Sequence, residues 1–301
     1  MQKYNFIVST DTCADMPRSW YEKNGVKYAI MKRILGGREL TECFDTDADF
    51  DNFYDSIKKG DMPSTTQLNP FELKDYFEKI IKDTREGDLV HVCLSSGLSA
   101  THNNAMAAAR EVNKELEAGG SDRRVYVIDS LIATLGQGQM VDELVTMRDA
   151  GETTRVAIEK IEELRAHQQA WVIVSDLFHL KRGGRISGAK AAIGSVLNIR
   201  PIIHLSQRGK LAMESKMRGN QKAVKYILSR MEKYGINLLS QTVWVVRTSK
   251  SELYDLTLSS IKSQYPTMKI RTAIVGPIIG THLGCGGVGV LFVGAPRLDI
   301  D

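Results

Sequence analysis

The chain has 301 residues, of which 43% are hydrophobic, so it is long enough to bury a real core in one large or two ordinary domains. Its 40 Lys and Arg residues exceed its 36 Asp and Glu residues by only four, which argues against general nucleic-acid binding and leaves any basic function to a local patch. The four cysteines form no CxxC pair and no apolar run is long enough to span a membrane, so we expect a soluble, cytoplasmic protein with reduced thiols.

The first half of the chain predicts alternating strands and helices. Asp15 is expected to cap a short helix that follows the first strand, and Asn69 with Glu72 to cap another. Repeated strand–turn–helix units predict a parallel α/β sheet, in which polar loops after the strands meet at one edge. The predicted strands are Phe6–Ser9, Val26–Leu35 with a hairpin into 38–40, Asp88–Cys93 and Arg124–Ile128, and the predicted helices are Phe50–Lys59, Phe71–Lys82, Ala100–Leu116 and Leu131–Arg148.

The stretch from Leu94 to Thr101 joins a strand to a helix through a turn that is rich in hydroxyl groups. A strand that breaks into a helix through a glycine turn leaves backbone N–H groups open, and the helix dipole favours an anion beside them. Ser95, Ser96, Ser99 and Thr101 surround this point. The turn therefore predicts an anion site, and simple helix capping by one serine is the alternative.

The second half predicts an α+β domain with a mainly antiparallel sheet. A hairpin at 206–210 joins Arg200–Leu205 to Leu211–Met217, and Ser187 is expected to cap a helix over Gly188–Leu197. We place the domain boundary between residues 166 and 167. The other predicted strands are Ala170–Ser175, Thr242–Arg247, Lys269–Val275 and Gly289–Val293, and the other predicted helices are Thr153–His167, one that ends at Gly235 and one over 251–264.

Two loops of this half carry candidate functional residues. The segment from Leu180 to Ser187 is basic, and the segment from Gly276 to Gly287 is predicted to be a glycine-rich loop around His282. A histidine held in such a loop is a candidate hydrogen-bond donor or general base, with an ordinary exposed loop histidine as the alternative.

Seven motifs, in order along the whole chain, resemble the DegV family. They are DTCADMP from Asp11, TTQ from Thr65, SSGLSAT from Ser95, VIDS from Val127, LKRGGRIS from Leu180, NIRP from Asn198 and GPIIGTH from Gly276. The resemblance implies an α/β protein with an N-terminal parallel-sheet domain (1–166), a C-terminal α+β domain (167–301), and one long-chain fatty acid between them. It also implies a carrier that is not itself an enzyme and needs no cofactor or metal.

The resemblance further implies site residues and a partner. Carried over by motif, Thr65, Ser96 and His282 would hold the fatty acid carboxylate, with Ser95 and Thr66 close by. Some members present the acid to a dihydroxyacetone-kinase-like fatty acid kinase, which makes acyl phosphate for phospholipid synthesis. A surface of Lys181, Arg182, Arg185 and Arg200 suits docking to such a kinase, and a solvated basic face is the alternative.

Three motifs depart from the family pattern, and two other functional classes stay open. The usual Thr-Ser-Gln-Pro-Ser is Thr65-Thr-Gln-Leu-Asn69 here, Ala100 replaces a usual glycine, and Cys285 replaces the proline of His-x-Gly-Pro-Gly; Leu68 and Cys285 bear on loop shape and chain preference. One alternative is a Ser/His hydrolase or phosphotransferase that uses Ser96 and His282, although the Gly-x-Ser-x-Gly elbow and a third triad member are missing. The other is a nucleic-acid or regulatory module, which the modest charge and the lack of interleaved aromatics disfavour.

Overall fold

The computed structural model describes residues 4–41, 45–175, 177–186 and 198–297. The strands are β1 Phe6–Asp11, β2 Lys27–Ala29, β3 Lys32–Leu35, β4 Arg38–Leu40, β5 Ser64–Thr66, β6 Asp88–Cys93, β7 Val125–Asp129, β8 Gln168–Ile173, β9 Ile199–Leu205, β10 Leu211–Arg218, β11 Thr242–Arg247, β12 Lys269–Ile274 and β13 Val288–Val293. The helices are α1 Arg18–Asn24, α2 Asp47–Lys58, α3 Pro70–Asp83, α4 Thr101–Ala118, α5 Leu135–Asp149, α6 Thr154–His167, α7 Phe178–Arg182, α8 Asn220–Tyr234, α9 Glu252–Gln264 and α10 Pro277–Leu283.

The chain forms two compact units. The first consists of Met1–Lys32, Leu40–Cys43 and Thr65–Arg165, and the second of Arg33–Glu39, Phe44–Ser64 and Ala166–Asp301. The second unit thus takes in two early segments that the predicted domains 1–166 and 167–301 assign to the first domain.

The first unit is built on a parallel sheet, as the strand–turn–helix pattern predicts. Its strand order is β2-β1-β6-β7, and every pair of neighbours is parallel. All six residues of β1 are buried, which is expected of a central strand covered on both faces. Because the strands are parallel, the turns that follow β1, β6 and β7 lie at the same edge of the sheet.

The second unit is built on a mixed, mainly antiparallel sheet. Its strand order is β10-β9-β8-β13-β11-β12, and among these neighbours β11 and β12 are parallel while the others are antiparallel. Helices α8 and α9 pack on this sheet, where Trp171, Val243 and Phe292 belong to the buried core. The predicted hairpin between β9 and β10 is confirmed.

Several predicted element ends are confirmed because the signal that sets them is local. Asn69 caps α3 and forms a capping box with Glu72, in which each side chain bonds to the backbone of the other residue. Gly235 follows the end of α8, and β11 has the predicted bounds.

Other predictions were wrong where contacts remote in sequence decide the structure. The single strand predicted over Val26–Leu35 is two strands, because β2 pairs with β1 whereas β3 joins a small sheet of order β4-β3-β5. Asp15 is not the N-cap of α1, which begins after Pro17; with a φ of +52° it ends a short 3-10 turn instead. The predicted Ser187 cap and the helix over Gly188–Leu197 lie outside the described residues.

Glycines 136 and 138 of α5 illustrate how close packing explains helical glycines. A Cβ atom on Gly138 would lie 2.8 Å from the Ala14 carbonyl oxygen and from the Met16 sulfur. One on Gly136 would lie 2.3 Å from the side chain of Ile132. Both glycines therefore allow α5 to approach the turns that follow β1 and β7.

No helix in the described part of the chain is both long enough and apolar enough to cross a membrane.

Candidate functional site

The backbone donors of the turn after β6 are bonded to carboxylates of the neighbouring strands. The Leu94 N–H donates to Asp11 Oδ2 at 2.8 Å, and the Ser96 N–H donates to Asp129 Oδ1 at 3.0 Å. Asp11 ends β1 and Asp129 ends β7, on either side of β6. The prediction that these backbone N–H groups are open to an anion was therefore wrong, and side-chain hydroxyls are the donors that the turn offers.

The hydroxyl groups of the turn divide into structural and exposed ones. Ser95 is fully buried and its Oγ accepts from the Gly97 N–H at 3.1 Å. Ser99 Oγ accepts from the Thr101 N–H, and the hydroxyls of these two residues lie 2.9 Å apart. Ser96 is exposed. Ser95 and Ser99 thus shape the turn, whereas the Ser96 side chain is exposed.

The buried Asp11 carboxylate holds this turn in place through hydrogen bonds. Its Oδ1 accepts from the Cys13 N–H at 2.9 Å and from Gln137 Nε2 at 3.2 Å, while its Oδ2 accepts from Leu94. Complete burial raises the pKa of the Asp11 carboxyl, and the hydrogen bonds from Leu94, Cys13 and Gln137 oppose that shift. The Asp11 carboxylate thus links β1, the Ser96 turn and α5.

Thr65 and Thr66 lie on β5 and are both half-buried. The segment that follows them is tied to α4, because Asn104 Nδ2 donates to the Leu68 carbonyl at 2.7 Å. Leu68 itself is buried. The segment that carries the two threonines is therefore attached to the helix that begins just after the Ser96 turn.

His282 lies on a helix, so the predicted loop over residues 276–287 was wrong in its first part. Gly276 and Pro277 begin α10, which ends at Leu283. Burial is the largest cause that lowers the pKa of His282, and together with the nearby Arg185, Arg182 and His179 it brings that pKa to about 4. His282 is therefore neutral at pH 7 and retains one N–H for donation.

The basic residues near α7 differ in how they are held. Arg182 donates from its two terminal nitrogens to the carbonyl oxygens of Met62 and Pro63, at 3.3 and 2.7 Å. Arg185 donates to the carbonyl of Gly183. Because both arginines lower the pKa of His282, the second unit brings three of the predicted site residues together.

The remaining two basic candidates are Arg200 and Lys181. Arg200 Nε donates to Asn220 Oδ1 at 2.8 Å, which directs it toward the start of α8. Lys181 is exposed on α7. The docking role of these basic residues, and the carboxylate-binding role of Thr65, Thr66, Ser95, Ser96 and His282, stay predictions.

Sequence reasoning missed two histidines, whereas Asp129 belongs to the VIDS motif that it singled out. Asp129 accepts from the Ser96 N–H, His179 lies beside His282, and His91 is buried within β6. A histidine in an otherwise apolar strand was a signal for the last of these. The described residues contain no group of three or more His, Cys, Asp or Glu side chains that suits a metal ion.

The fold is that of an α/β protein with a parallel sheet in one unit and a mixed, mainly antiparallel sheet in the other. A family model described as "Uncharacterised protein, DegV family" matches residues 5–295. The chain therefore belongs to the DegV family.

Relatives of known sequence or structure are similar over nearly the full chain. A DegV domain-containing protein of Clostridium perfringens is 30% identical over 96% of this chain and 97% of its own length. The structure of DegV from Bacillus subtilis, a fatty acid binding protein, is 27% identical with a TM-score of 0.78, and covers 97% of this chain and 100% of that one. A DegV lipid binding protein from Thermotoga maritima is 25% identical with a TM-score of 0.80, and covers 98% of this chain and 100% of that one.

Proposed function

We propose that this chain binds one long-chain fatty acid and is a carrier, not an enzyme in its own right. Thr65, Ser96 and His282 bind the carboxylate, and Ser95 and Thr66 support them. The observation that carries the proposal is the exposed Ser96 hydroxyl on a turn fixed by Asp11 and Asp129. Fatty acid binding by the Bacillus subtilis relative supports the same ligand class.

The donor set suits a carboxylate for electrostatic reasons. A carboxylate removed from water is expensive unless several donors are aimed at it. Hydroxyl groups and a neutral imidazole supply donors without a buried lysine, and Arg185 beside His282 adds positive charge. The acyl chain supplies affinity, because about 0.8 kcal/mol per buried CH₂ gives on the order of 12 kcal/mol gross for sixteen carbons, less ordering and association costs.

Mass spectrometry of an organic extract of the purified protein tests the ligand class. We expect a stoichiometric long-chain fatty acid, and a small phosphorylated metabolite in its place would contradict the proposal. Calorimetry on delipidated protein then tests the residues. Ser96→Ala and Thr65→Ala should each weaken binding by roughly 1–3 kcal/mol, which is the penalty for a charged group that loses a buried partner.

Ser259→Ala is the matched control, since Ser259 is exposed on α9 and bonds only to carbonyls of its own helix, those of Asp255 and Leu256. Unchanged affinity in a double variant of Ser96 and Thr65 would place the carboxylate elsewhere.

We further propose that the chain presents its fatty acid to a dihydroxyacetone-kinase-like fatty acid kinase, through Lys181, Arg182, Arg185 and Arg200. Lys181→Glu is the cleanest test because Lys181 is exposed on α7. It should slow phosphorylation of the bound acid in low salt and leave fatty acid affinity unchanged, since rim charges act on encounter. Arg185→Glu should lower both the phosphorylation rate and the fatty acid affinity, because Arg185 lies near His282. An unchanged phosphorylation rate in both variants would refute docking at this surface.

His282→Asn separates a carrier from a Ser/His hydrolase. In a carrier, the amide of Asn still donates one hydrogen bond, so part of the fatty acid affinity should remain. The protein alone should turn over no ester or acyl phosphate. A saturable esterase activity that falls by about 10²–10⁴-fold in His282→Asn and is lost in Ser96→Ala would overturn the carrier proposal.

A further inference from the structure

A groove with a volume of about 750 Å³ lies in the first unit between α1, β2 and α3. The consecutive residues 25–30 all line it, and they include the whole of β2. Side chains alternate between the two faces of a strand, so a pocket above one face is lined by every second residue. The unbroken run therefore places the groove along the edge of β2.

This edge is the outer edge of the parallel sheet. In the described part of the chain, β2 stands at one end of the strand order and pairs with β1 on its inner side. An edge strand directs backbone N–H and C=O groups away from the sheet, where another extended chain can pair with them. The groove thus gives access to main-chain hydrogen-bonding groups as well as to side chains.

One face of α3 forms a long wall of the groove. The lining positions recur at helical spacing, and they are Glu72, Leu73, Tyr76, Lys79, Ile80 and Asp83. From Glu72 to Asp83 this wall is about 16 Å long, at about 1.5 Å per residue, and about five residues of extended chain span the same length. Extended peptides commonly bind to proteins by adding a strand to an exposed sheet edge, with their side chains in flanking pockets.

The side chains of the groove favour an uncharged segment with an apolar centre. Its apolar wall comes from both helices and includes Tyr21, Leu73, Tyr76 and Ile80. Its charged side chains cancel, because three carboxylates accompany three lysines: Glu22, Glu72, Asp83, Lys27, Lys32 and Lys79. One such pair is in direct contact, since Lys32 Nζ lies 2.6 Å from Glu72 Oε1. A groove without net charge does not attract anions, which disfavours a free fatty acid or a nucleotide as its occupant.

We propose that this groove binds an extended segment of a partner protein, about five residues long, which adds a strand to the outer edge of β2. The side chains of the segment alternate between the walls formed by α1 and α3, so its central residues are apolar. Backbone hydrogen bonds to β2 supply affinity, and the apolar contacts select the segment. This interaction does not depend on the proposed fatty acid binding.

Phage display of random heptapeptides on the purified full-length protein supplies the probe. We expect enriched sequences with an uncharged, apolar centre, and calorimetry then measures the affinity of the best synthetic peptide. Lys79→Trp places a large ring at the groove from an exposed position and should weaken binding at least tenfold. Lys82→Trp is the matched control, because Lys82 is exposed on the same helix and is not a lining residue; it should leave the affinity unchanged.

Methylation of the peptide backbone tests strand addition itself. Successive amides of a paired strand point alternately toward the neighbouring strand and away from it. N-methylation of one alternate set should therefore weaken binding at least tenfold, and N-methylation of the other set should change it less than twofold. Both peptides keep every side chain, so apolar contact alone does not produce this difference.

Four results would overturn the inference. A library that enriches no sequence would refute a peptide site. Equal affinities of the two methylated peptides, or an unchanged affinity in Lys79→Trp, would show that the peptide does not pair with β2. Competitive displacement of the peptide by stearic acid would assign the groove to an acyl chain. A dimer of the protein alone that Lys79→Trp abolishes would assign it to a second copy of this chain.

Discussion

Gly183 offers a sharp test of how the His282 ring is positioned. A Cβ atom on Gly183 would lie 2.2 Å from His282 Nδ1, which is about 1.2 Å short of the 3.4 Å at which ordinary contact begins. The φ of Gly183 is −75°, so its backbone accepts alanine without strain. Gly183→Ala therefore displaces the ring or α7, and we expect it to lower the free energy of unfolding by about 1–3 kcal/mol.

Calorimetric unfolding and fatty acid binding measure the two consequences. Gly119→Ala is the matched control, because Gly119 also follows a helix, has a φ of −81°, and its added Cβ would meet nothing closer than 3.4 Å. The control should be neutral or slightly stabilising, since alanine restricts the unfolded chain. Gly183→Ala should also weaken fatty acid binding, although Gly183 is not one of the proposed ligand-binding residues.

The same substitution in a variant that lacks the His282 ring shows whether this ring causes the destabilisation. When His282 is replaced by alanine, Gly183→Ala should become less destabilising by about 1–2 kcal/mol, since the obstructing ring is gone and the next contact, the His179 carbonyl oxygen, is at 3.3 Å. An equal destabilisation in both backgrounds would refute the reasoning.

Three further predictions concern His91, His282 and the Asn69 cap. The free energy of unfolding should fall as the pH is lowered from 6.5, because unfolded His91 takes up a proton near that pH and folded His91 only near pH 3. The loss by pH 5 is about 2 kcal/mol. Urea titrations at several pH values measure it, and an equal dependence of the unfolding free energy on pH in His91→Leu would contradict the prediction. Arg185→Gln should raise the pKa of His282 from about 4 toward its ordinary value, and an unchanged NMR titration of that ring would show that the arginine charge is not felt. Asn69→Ala should lower the free energy of unfolding by about 1 kcal/mol while Asn69→Asp retains the cap, and chemical denaturation should find the two variants unequal.

The fold was predictable from sequence wherever its signals are local. The capping box at Asn69 and the glycine after α8 set helix ends through atoms within a few residues, so their patterns were sufficient. The run over Val26–Leu35 carries no break signal, because its division between two sheets is decided by the partners of β2 and β3. Pro277 after Gly276 did indicate a helix start, yet the density of glycine there pointed to a loop.

Gly280 of α10 and Gly284, which directly follows that helix, have a tertiary cause that no local pattern shows. A Cβ on Gly280 would lie 2.4 Å from the Tyr54 hydroxyl oxygen, and one on Gly284 would lie 2.4 Å from the ring of His179. The site follows the same rule. The hydroxyl-rich turn after β6 was visible in the sequence. That its backbone N–H groups donate to Asp11 and Asp129 depends on the order of the parallel strands, which the sequence does not show.

The contact between Tyr54 and Val275 has a consequence for the nascent chain. The Tyr54 hydroxyl donates to the Val275 carbonyl at 2.7 Å across 221 residues of sequence, and Phe53 and Ile57 are buried on the same helix. At about 5–20 residues per second, a ribosome needs roughly ten to forty seconds to synthesise the intervening chain. Throughout that interval the apolar face of α2 lacks its final partner. The early segment of the second unit is thus a place where a chaperone would be expected to bind during translation.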